Sequence, residues 1–368
     1  MSIRVADIVD AVHDAFPPEW AEPWDRIGLV AGDPEAPVSR VLVSLDPSLE
    51  ALVRARHHRA QVLVTHHPPF LEPVQSLTPH GAGVSFAAVR EGIALIAAHT
   101  NLDRAPAGAA ALPHLLGLAP GRPLEDARLP MCMVTVFVPE ADQRAVASAM
   151  AAAGAGRIGE YTGCSFAGAG TATFTPSEHS ALSVGTAGST SSTDESRVEM
   201  LAPRERATAV VSAARENHPY EEPLITVTEV SIARGDARMG RVSELSEPVT
   251  LEVFAKRLTA VLEVTPRVWG SLSTSVHRVA TATGSAGSLV PAALRSGADV
   301  LVAGEVRYHD AQAAAAAGLC VVEIGHDVSE WPLVPVLADA VARVPGLNGE
   351  SILVDPPAAG WWTPQRSD

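Results

Sequence analysis

The chain has 368 residues, against about 150 for a typical domain, and its 47% apolar and 19% charged composition is that of a folded protein. Its 27 basic and 42 acidic residues give a formal charge of −15, which disfavours nucleic acid and anionic membranes as partners. Three widely spaced cysteines without a CxxC pair predict neither disulfides nor a thiolate zinc site, and favour a cytoplasmic location.

The first third of the chain alternates between strand and helix patterns. The N-terminus, MSIRVADIVDAVHDAF, predicts an amphipathic helix rather than a signal peptide. Short β-branched or apolar runs predict strands over 40–43, 62–65 and 93–98, with helical patterns between them, as in βαβ units on a parallel sheet. The most apolar stretch, 313–322, is shorter than the ~20 residues that a membrane span needs, so we expect no membrane association.

The pattern changes after Pro130. The sequence then predicts a βαββαβ-like order, with β structure over 133–138, 159–174, 197–201 and 224–230 and helices over 143–153 and 204–217. The polar stretch GTAGSTSSTDES, which starts at Gly185, has the composition of a solvated loop. We therefore expect a small α+β domain of the ferredoxin-like type over residues 129–236.

The α/β alternation returns after Pro248, with strands over 278–283, 300–303 and 320–324 and helices over 251–261 and 289–296. The simplest fold is a discontinuous α/β main domain with a mixed or parallel sheet, formed by residues 1–128 and 237–368 and interrupted by the inserted domain. Two independent flanking domains are the alternative. In the tail, Trp361 and Trp362 are expected to pack onto this subunit or a neighbour.

Two adjacent histidines, His66 and His67, follow the strand over 62–65, and the Pro-Pro pair after them ends that strand. Ligands bind at the carboxyl ends of strands in open α/β sheets. Neighbouring residues in extended backbone point in opposite directions, so the pair suits two different metal ions. A polar loop with one histidine bonded to the backbone is the alternative.

Two other strands end in similar residue types. The strand over 93–98 leads into HTNLD, which ends at Asp103, although an aspartate there is also typical of a helix N-cap. The strand over 320–324 is followed by His326 and Glu330, whose i, i+4 spacing puts both on one side of a helical turn. A plain surface pair is the alternative for these two residues.

If the three strands belong to one sheet, five side chains converge: His66, His67, Asp103, His326 and Glu330. With Glu330 shared between two divalent ions, the five supply about three protein ligands to each ion, as in catalytic sites that leave positions open for solvent. Imidazole and carboxylate ligands favour Zn, Mn, Fe, Co or Ni over Ca or Mg.

These motifs resemble those of a known family, the dinuclear-metal-centre proteins called GTP cyclohydrolase 1 type 2 homologues or NGG-interacting-factor-like proteins. The resemblance lies in LVTHHPPF from Leu63, AHTNLDRAPAG from Ala98 and GEVRYHDAQAAAAAGLCVVEIGHDVSEW from Gly304. It extends to nearly the whole chain through EPWDRIGLVAGDP from Glu22 and, in the insert, GEYTGCSFAGAGTATFTP from Gly159 and HPYEEP from His218.

The resemblance implies a two-metal site with the same five ligands. It also implies a toroidal homohexamer whose metal sites face an internal cavity, and an insert similar to small trimeric signalling or ion-tolerance domains. His99 and His309 match family histidines near the metals and are candidate proton-transfer groups. Glu305 stands where many members have aspartate, a difference that alters the surroundings of the ligands.

Two further motifs have plain structural interpretations. Trp24-Asp25 predicts a buried tryptophan beside a hydrogen-bonded aspartate, or a buttress for the metal pocket. HPYEEP predicts a turn with a solvated acidic face, and a residue set that lines an additional site is the alternative.

The function that follows is a metal-dependent hydrolase acting on a nucleotide-like or phosphorylated small molecule. His66 and His326 bind one ion in this hypothesis, His67 and Asp103 the other, and Glu330 bridges. The family name suggests that the guanine ring of GTP is opened, yet the chain has neither a P-loop nor a GxGxxG motif. The alternative is a non-enzymatic metal-binding ring whose insert senses a ligand or docks a partner.

Overall fold

The computed structural model describes residues 2–126, 128–158, 161–177, 186–233, 235 and 237–357. Their mixed α/β structure, with several sheets of parallel and antiparallel strands, confirms the predicted fold class. The chain divides into two compact units, a main unit of Met1–Asp126 with Gly235–Asp368 and an insert unit of Ala127–Arg234. Trp361 and Trp362 lie outside the described residues.

The strands are β1 (Gly28–Ala31), β2 (Val41–Ser44), β3 (Val62–Thr65), β4 (Ala94–Ala97), β5 (Arg122–Pro123), β6 (Arg128–Pro139), β7 (Phe166–Phe174), β8 (Ser191–Pro203), β9 (Ile225–Ala233), β10 (Arg241–Thr250), β11 (Arg267–Trp269), β12 (Ser275–Ser285), β13 (Val300–Glu305), β14 (Cys320–Glu323) and β15 (Ile352–Val354). The helices are α1 (Val5–Ala15), α2 (Leu49–His57), α3 (Gly83–Glu91), α4 (Thr100–Arg104), α5 (Pro106–Leu115), α6 (Gln143–Ala152), α7 (Ala207–Glu216), α8 (Leu251–Leu262), α9 (Val290–Ser296), α10 (Tyr308–Ala316), α11 (His326–Glu330) and α12 (Leu333–Val341). Among the described helices, none is long and apolar enough to cross a membrane.

The main unit contains a five-stranded sheet in the order β1-β4-β3-β2-β15, in which β1 is antiparallel to β4 and the other pairs are parallel. Strands β2, β3 and β4 are buried along their whole length. Their apolar runs lack alternation because helices cover both faces: α1 and α12 pack on one, α2 and α3 on the other.

A second sheet of the main unit has six strands in the order β11-β14-β13-β12-β10-β5. Strands β12, β13 and β14 are parallel, and the outer pairs are antiparallel. The expectation that the three ligand-bearing strands share one sheet is therefore wrong, because β3 and β4 lie in the first sheet and β14 in the second. Strand β14 instead pairs with β13 on one side and with β11 on the other.

The insert unit has the predicted βαββαβ order and a fully antiparallel sheet, β7-β8-β6-β9. Helices α6 and α7 bury the valines of β6 on one face of this sheet. The predicted loop from Gly185 ends earlier than expected. Ser191, the first residue of β8, already pairs with Phe174 of β7. Cross-strand hydrogen bonding thus overrides the polar composition of this stretch.

Candidate metal centre

The carboxyl ends of β3 and β4 fix the first candidate ligand. His66 directly follows β3 and has no exposed surface. Its Nδ1 bonds the carbonyl of Ala98, just beyond β4, at 3.0 Å. The next residue, His67, is held by a hydrogen bond from the Thr65 hydroxyl to its carbonyl (2.7 Å), and the two histidine ring centroids are 4.9 Å apart.

Asp103 lies inside α4, which His99 precedes as its N-cap residue, so the helix-cap interpretation of Asp103 is wrong. One oxygen of its carboxylate accepts a hydrogen bond from the hydroxyl of Thr283, in β12 of the second sheet. The other oxygen is free to face His66. Asp103 thereby joins the carboxyl edges of the two sheets.

The last two candidates share the short helix α11, which follows β14. His326 Nε2 lies 3.1 Å from Glu330 Oε2, as the i, i+4 spacing predicts. Glu330 is 3% exposed, which means that its carboxylate depends on the surrounding side chains rather than on water.

The structure brings all five predicted ligands together around Glu330. His66 Nε2 lies 3.7 Å from both Asp103 Oδ2 and Glu330 Oε1. His67 Nε2 lies 2.9 Å from Glu330 Oε2. Two triplets of these ligands have their ligand atoms within 4.8 Å of one another: His66 with Asp103 and Glu330, and His67 with His326 and Glu330. His99 forms a third such group with His66 and His67.

This grouping corrects the predicted pairing of His66 with His326 and of His67 with Asp103. The Ala98 carbonyl orients His66 toward α4, where Asp103 lies. The side chain of His67, the next residue, points the other way, toward Glu330 in α11.

In each of the three histidines among the candidate ligands, Nδ1 faces a hydrogen-bond acceptor and Nε2 faces the centre. Metal-binding histidines usually show this arrangement, since the outer acceptor fixes the ring and its tautomer. The acceptors of His66, His67 and His326 are, in turn, the Ala98 carbonyl at 3.0 Å, Asp46 Oδ1 at 2.7 Å and Glu305 Oε1 at 3.1 Å.

Divalent ions satisfy the buried polar atoms of the cluster better than hydrogen bonds within the cluster do. Neither His66 Nε2 nor Glu330 Oε2 has a partner in hydrogen-bond geometry. Two ligands of one tetrahedral zinc lie about 3.3 Å apart, close to the separations seen here. A Cβ on Gly284 (φ +57°) would sit 2.2 Å from Glu330 Oε1, so only glycine leaves room for this carboxylate.

The electrostatics without metal reflect the crowding of opposite charges. Burial would raise the pKa of Glu330, but the imidazoles of His326, His66 and His67 hold it well below its usual range. Burial opposes a charged His67, yet Asp46 and Glu330 outweigh it and raise its pKa to about 10. For His326, the close contact with the Glu330 carboxylate outweighs burial and raises the pKa to about 9.

Of the two proton-transfer candidates, His99 lies beside the cluster. Its ring centroid is 5.2 Å from that of His66 and 5.7 Å from that of His67. His309 is exposed on α10, and among the described contacts only the ring of Tyr308 meets it, at 5.3 Å. The structure therefore brings His99, but not His309, to the candidate ligands within one chain.

His99 is oriented by Asp25, which is 8% exposed and lies 2.8 Å from His99 Nδ1. Burial would raise the pKa of Asp25, but hydrogen bonds from His99 and Thr100 lower it to about 2. The predicted hydrogen-bonded aspartate is thus confirmed, whereas the expectation of a buried tryptophan is wrong: Trp24 is 52% exposed, its ring edge-on to His99 at 6.0 Å.

Sequence analysis missed three residues of this centre: Asp46, Thr283 and Gly284. Asp46 follows the carboxyl end of β2 and Thr283 lies near that of β12, so the strand-end rule that found the ligands applies to both. Only the close approach of Glu330 reveals the need for glycine at position 284.

Nearly the whole chain is similar to known proteins. A family model described as Duf34/NIF3 (NGG1p interacting factor 3) matches residues 3–355. A Mycobacterium leprae protein named GTP cyclohydrolase 1 type 2 homolog is 34% identical over 355 residues, covering 93% of this chain and 90% of the relative. A relative of the same name in Halalkalibacterium halodurans is 34% identical over 312 residues, covering 83% and 84%.

A crystal structure of a Bacillus cereus protein related to NIF3 superposes with a TM-score of 0.62 at 31% identity, covering 96% of this chain and 97% of that one. Sequence and fold agree over nearly the full length in these comparisons. The chain therefore belongs to the Duf34/NIF3 family.

Proposed function

We propose that the centre holds two divalent metal ions and that the protein is a metal-dependent hydrolase. The observation that supports this most directly is the position of Glu330, a buried carboxylate shared by two triplets of ligand atoms. His66 and Asp103 complete one triplet, and His67 and His326 complete the other. Mixed nitrogen and oxygen ligands suit Zn, Mn, Fe, Co or Ni.

Bound at such a site, divalent ions polarise a phosphoryl or carbonyl oxygen and make water a better nucleophile at neutral pH. The protein residues supply position and proton transfer. The side chains of His67 and His326 are 21% and 39% exposed, whereas His66 has no exposed surface. A substrate therefore reaches the centre from the side of His67 and His326.

His99 is the residue that we assign to proton transfer. Asp25, held ionised by its low pKa, accepts the Nδ1 proton of His99 and leaves Nε2 to take or give a proton. The second oxygen of Asp25 accepts the Thr100 N–H at 3.0 Å, so both carboxylate oxygens are used.

The substrate class that we propose is a nucleotide-like or phosphorylated small molecule, with opening of the GTP ring as one candidate reaction. Support for the latter comes from the name that the relatives carry. The toroidal homohexamer and the cytoplasmic location expected from the sequence stay predictions.

The first prediction concerns metal content. Protein purified without chelator and reconstituted with Zn or Mn should bind about two ions per chain by elemental analysis, Glu330→Ala close to none and Asp103→Ala about one, because Glu330 serves both triplets and Asp103 one. Asp339→Ala, on the exposed side of α12, is the matched control and should keep both ions. Wild-type content well below two without recovery on reconstitution would show that the centre is not dinuclear.

Metal binding should also release protons. In the metal-free protein the pKa values of His67 and His326, about 10 and about 9, keep both rings protonated at pH 7.5, and both must lose a proton to bind an ion. Against the effect of burial, Asp103 and Glu330 raise the pKa of His66 as well, so we expect at least two protons released per chain and weaker metal binding as pH falls from 8 to 6. Titration calorimetry in buffers of different ionisation enthalpy measures this, and an absence of buffer dependence would contradict it.

Turnover tests the hydrolase itself. The metal-loaded protein, assayed against GTP, other nucleotides and simple phosphoesters, should turn over at least one of them, with losses of about 100-fold or more after chelation or in Glu330→Ala. Asp339→Ala should match the wild type. If no compound is hydrolysed, or if Glu330→Ala loses metal but keeps activity, the non-enzymatic metal-binding ring becomes the better explanation.

Asp25→Asn tests the assignment of His99. The amide replaces one acceptor oxygen with a donor, so it cannot accept hydrogen bonds from both His99 Nδ1 and the Thr100 N–H, and kcat should fall about 10- to 100-fold with metal content unchanged. Because Asp25 acts through His99, the double variant with Asp25→Asn and His99→Ala should have a kcat only slightly below that of His99→Ala alone. Additive losses in the double variant, or a loss of metal in Asp25→Asn, would show that the aspartate has a different role.

A further inference from the structure

The insert unit carries a cavity of about 840 Å³ on the face of its sheet opposite α6 and α7. Its lining comes from β6, β7, β8 and the HPYEEP segment, so the cavity belongs to this unit alone. The volume lies within the range of about 300–1,000 Å³ that is typical of small-molecule sites. Nothing in the proposed hydrolase uses it.

Two glycines of β7 create the recess. Gly168 pairs with Arg197 and Gly170 with Glu195 across the antiparallel ladder, and residues paired in this way project from the same face. Since the glycines have no side chain, the surface is hollow beside these two charged residues. Phe166 borders the hollow on the same strand.

The cavity contains a buried carboxylate without a cation. Glu195 is 7% exposed, and no described cation forms an ion pair with it. The buried hydroxyl of Tyr220 lies close to Glu195, and burial together with this carboxylate raises its pKa, so the hydroxyl stays neutral. Because this carboxylate lines the cavity without a described cation beside it, a ligand that supplies positive charge gains affinity here.

The position of Tyr220 is built into the HPYEEP segment. His218 Nε2 donates to the Phe137 carbonyl at 2.8 Å, and its Nδ1 accepts the backbone N–H of Tyr220 at 3.0 Å. Both ring nitrogens are used, which fixes the segment and directs the tyrosine toward Glu195. The expected solvated turn is therefore an incomplete description of this motif.

The remaining charges of the lining do not compensate Glu195. Arg197 bonds Glu199 at 2.7 Å, and Glu222 pairs with Arg215 at 3.3 Å. Among the described lining residues, the charges that lack an ion pair are thus both carboxylates, those of Glu195 and Glu221. Aromatic rings of Phe137, Phe166 and Phe174 supply the apolar surface.

We propose that this cavity binds a small organic cation with an apolar body, of the arylalkylamine class. The ammonium group meets the carboxylate of Glu195 and the hydroxyl of Tyr220, and the apolar body lies over the hollow beside Gly170 against the phenylalanine rings. Attraction between a cation and an aromatic face adds to the charge pairing.

The test uses the full-length protein with 2-phenylethylamine, its neutral analogue 2-phenylethanol and the anion phenylacetate, each titrated by calorimetry and by ligand-observed NMR. The amine should bind at least tenfold more tightly than the alcohol, and phenylacetate should not bind. Glu195→Gln should abolish the preference for the amine, and Gly170→Leu should block binding of both by filling the hollow. Glu216→Gln, on the exposed side of α7, is the matched control and should bind like the wild type.

Three results would overturn the proposal: no binding of the amine, equal binding of amine and alcohol, or unchanged binding in Glu195→Gln. Gly170→Leu keeps the test decisive if Glu195→Gln fails to fold. If the amine does not bind and Gly170→Leu instead lowers the mass measured by sedimentation, a second copy of the chain covers this face and the small-molecule site is wrong.

Discussion

The carboxylate of Glu330 is the constraint on which the centre depends. It is almost completely buried, and a buried carboxylate is tolerated only where positive charge or metal compensates it. Three imidazoles point their Nε2 atoms toward it, yet one of its oxygens has no partner in hydrogen-bond geometry. Because imidazoles alone leave this group incompletely satisfied, divalent ions would provide the compensation that best matches the geometry.

The two sheets of the main unit together place the side chains that surround Glu330. The first sheet supplies His66 and His67 at the end of β3 and Asp103 after β4, and the second supplies His326 and Glu330 after β14. The hydrogen bond from Thr283 to Asp103 connects them. Loss of packing between the sheets would therefore separate the two halves of each triplet, which ties the chemistry of the centre to the stability of the main unit.

The sequence predicted much of this because the ligands sit at strand ends, where local pattern is most informative. The runs VLVT and CVVE have clear apolar patterns, and histidines follow directly after the first and within three residues of the second, so these candidates can be identified without knowledge of the fold. The division into two sheets could not be predicted, because periodicity shows that a strand is buried but not which strand it pairs with. The sequence predicts that Asp25 is hydrogen-bonded, but it does not identify the partner, because His99 is 74 residues away.

The two triplets differ in their access to solvent, so the centre has a buried side and a solvent-facing side. His66, Asp103 and Glu330 are all at most 9% exposed, whereas the side chains of His67 and His326 are 21% and 39% exposed. The outer acceptors of the exposed pair are themselves open carboxylates, with Asp46 56% and Glu305 57% exposed, while His66 relies on a backbone carbonyl. An ion bound by the buried triplet would consequently be held by buried side chains and by a histidine that a backbone carbonyl orients. In the proposed function, an ion bound by the exposed triplet would be held by side chains that solvent and substrate can reach, and it would be the one that a reacting group meets first.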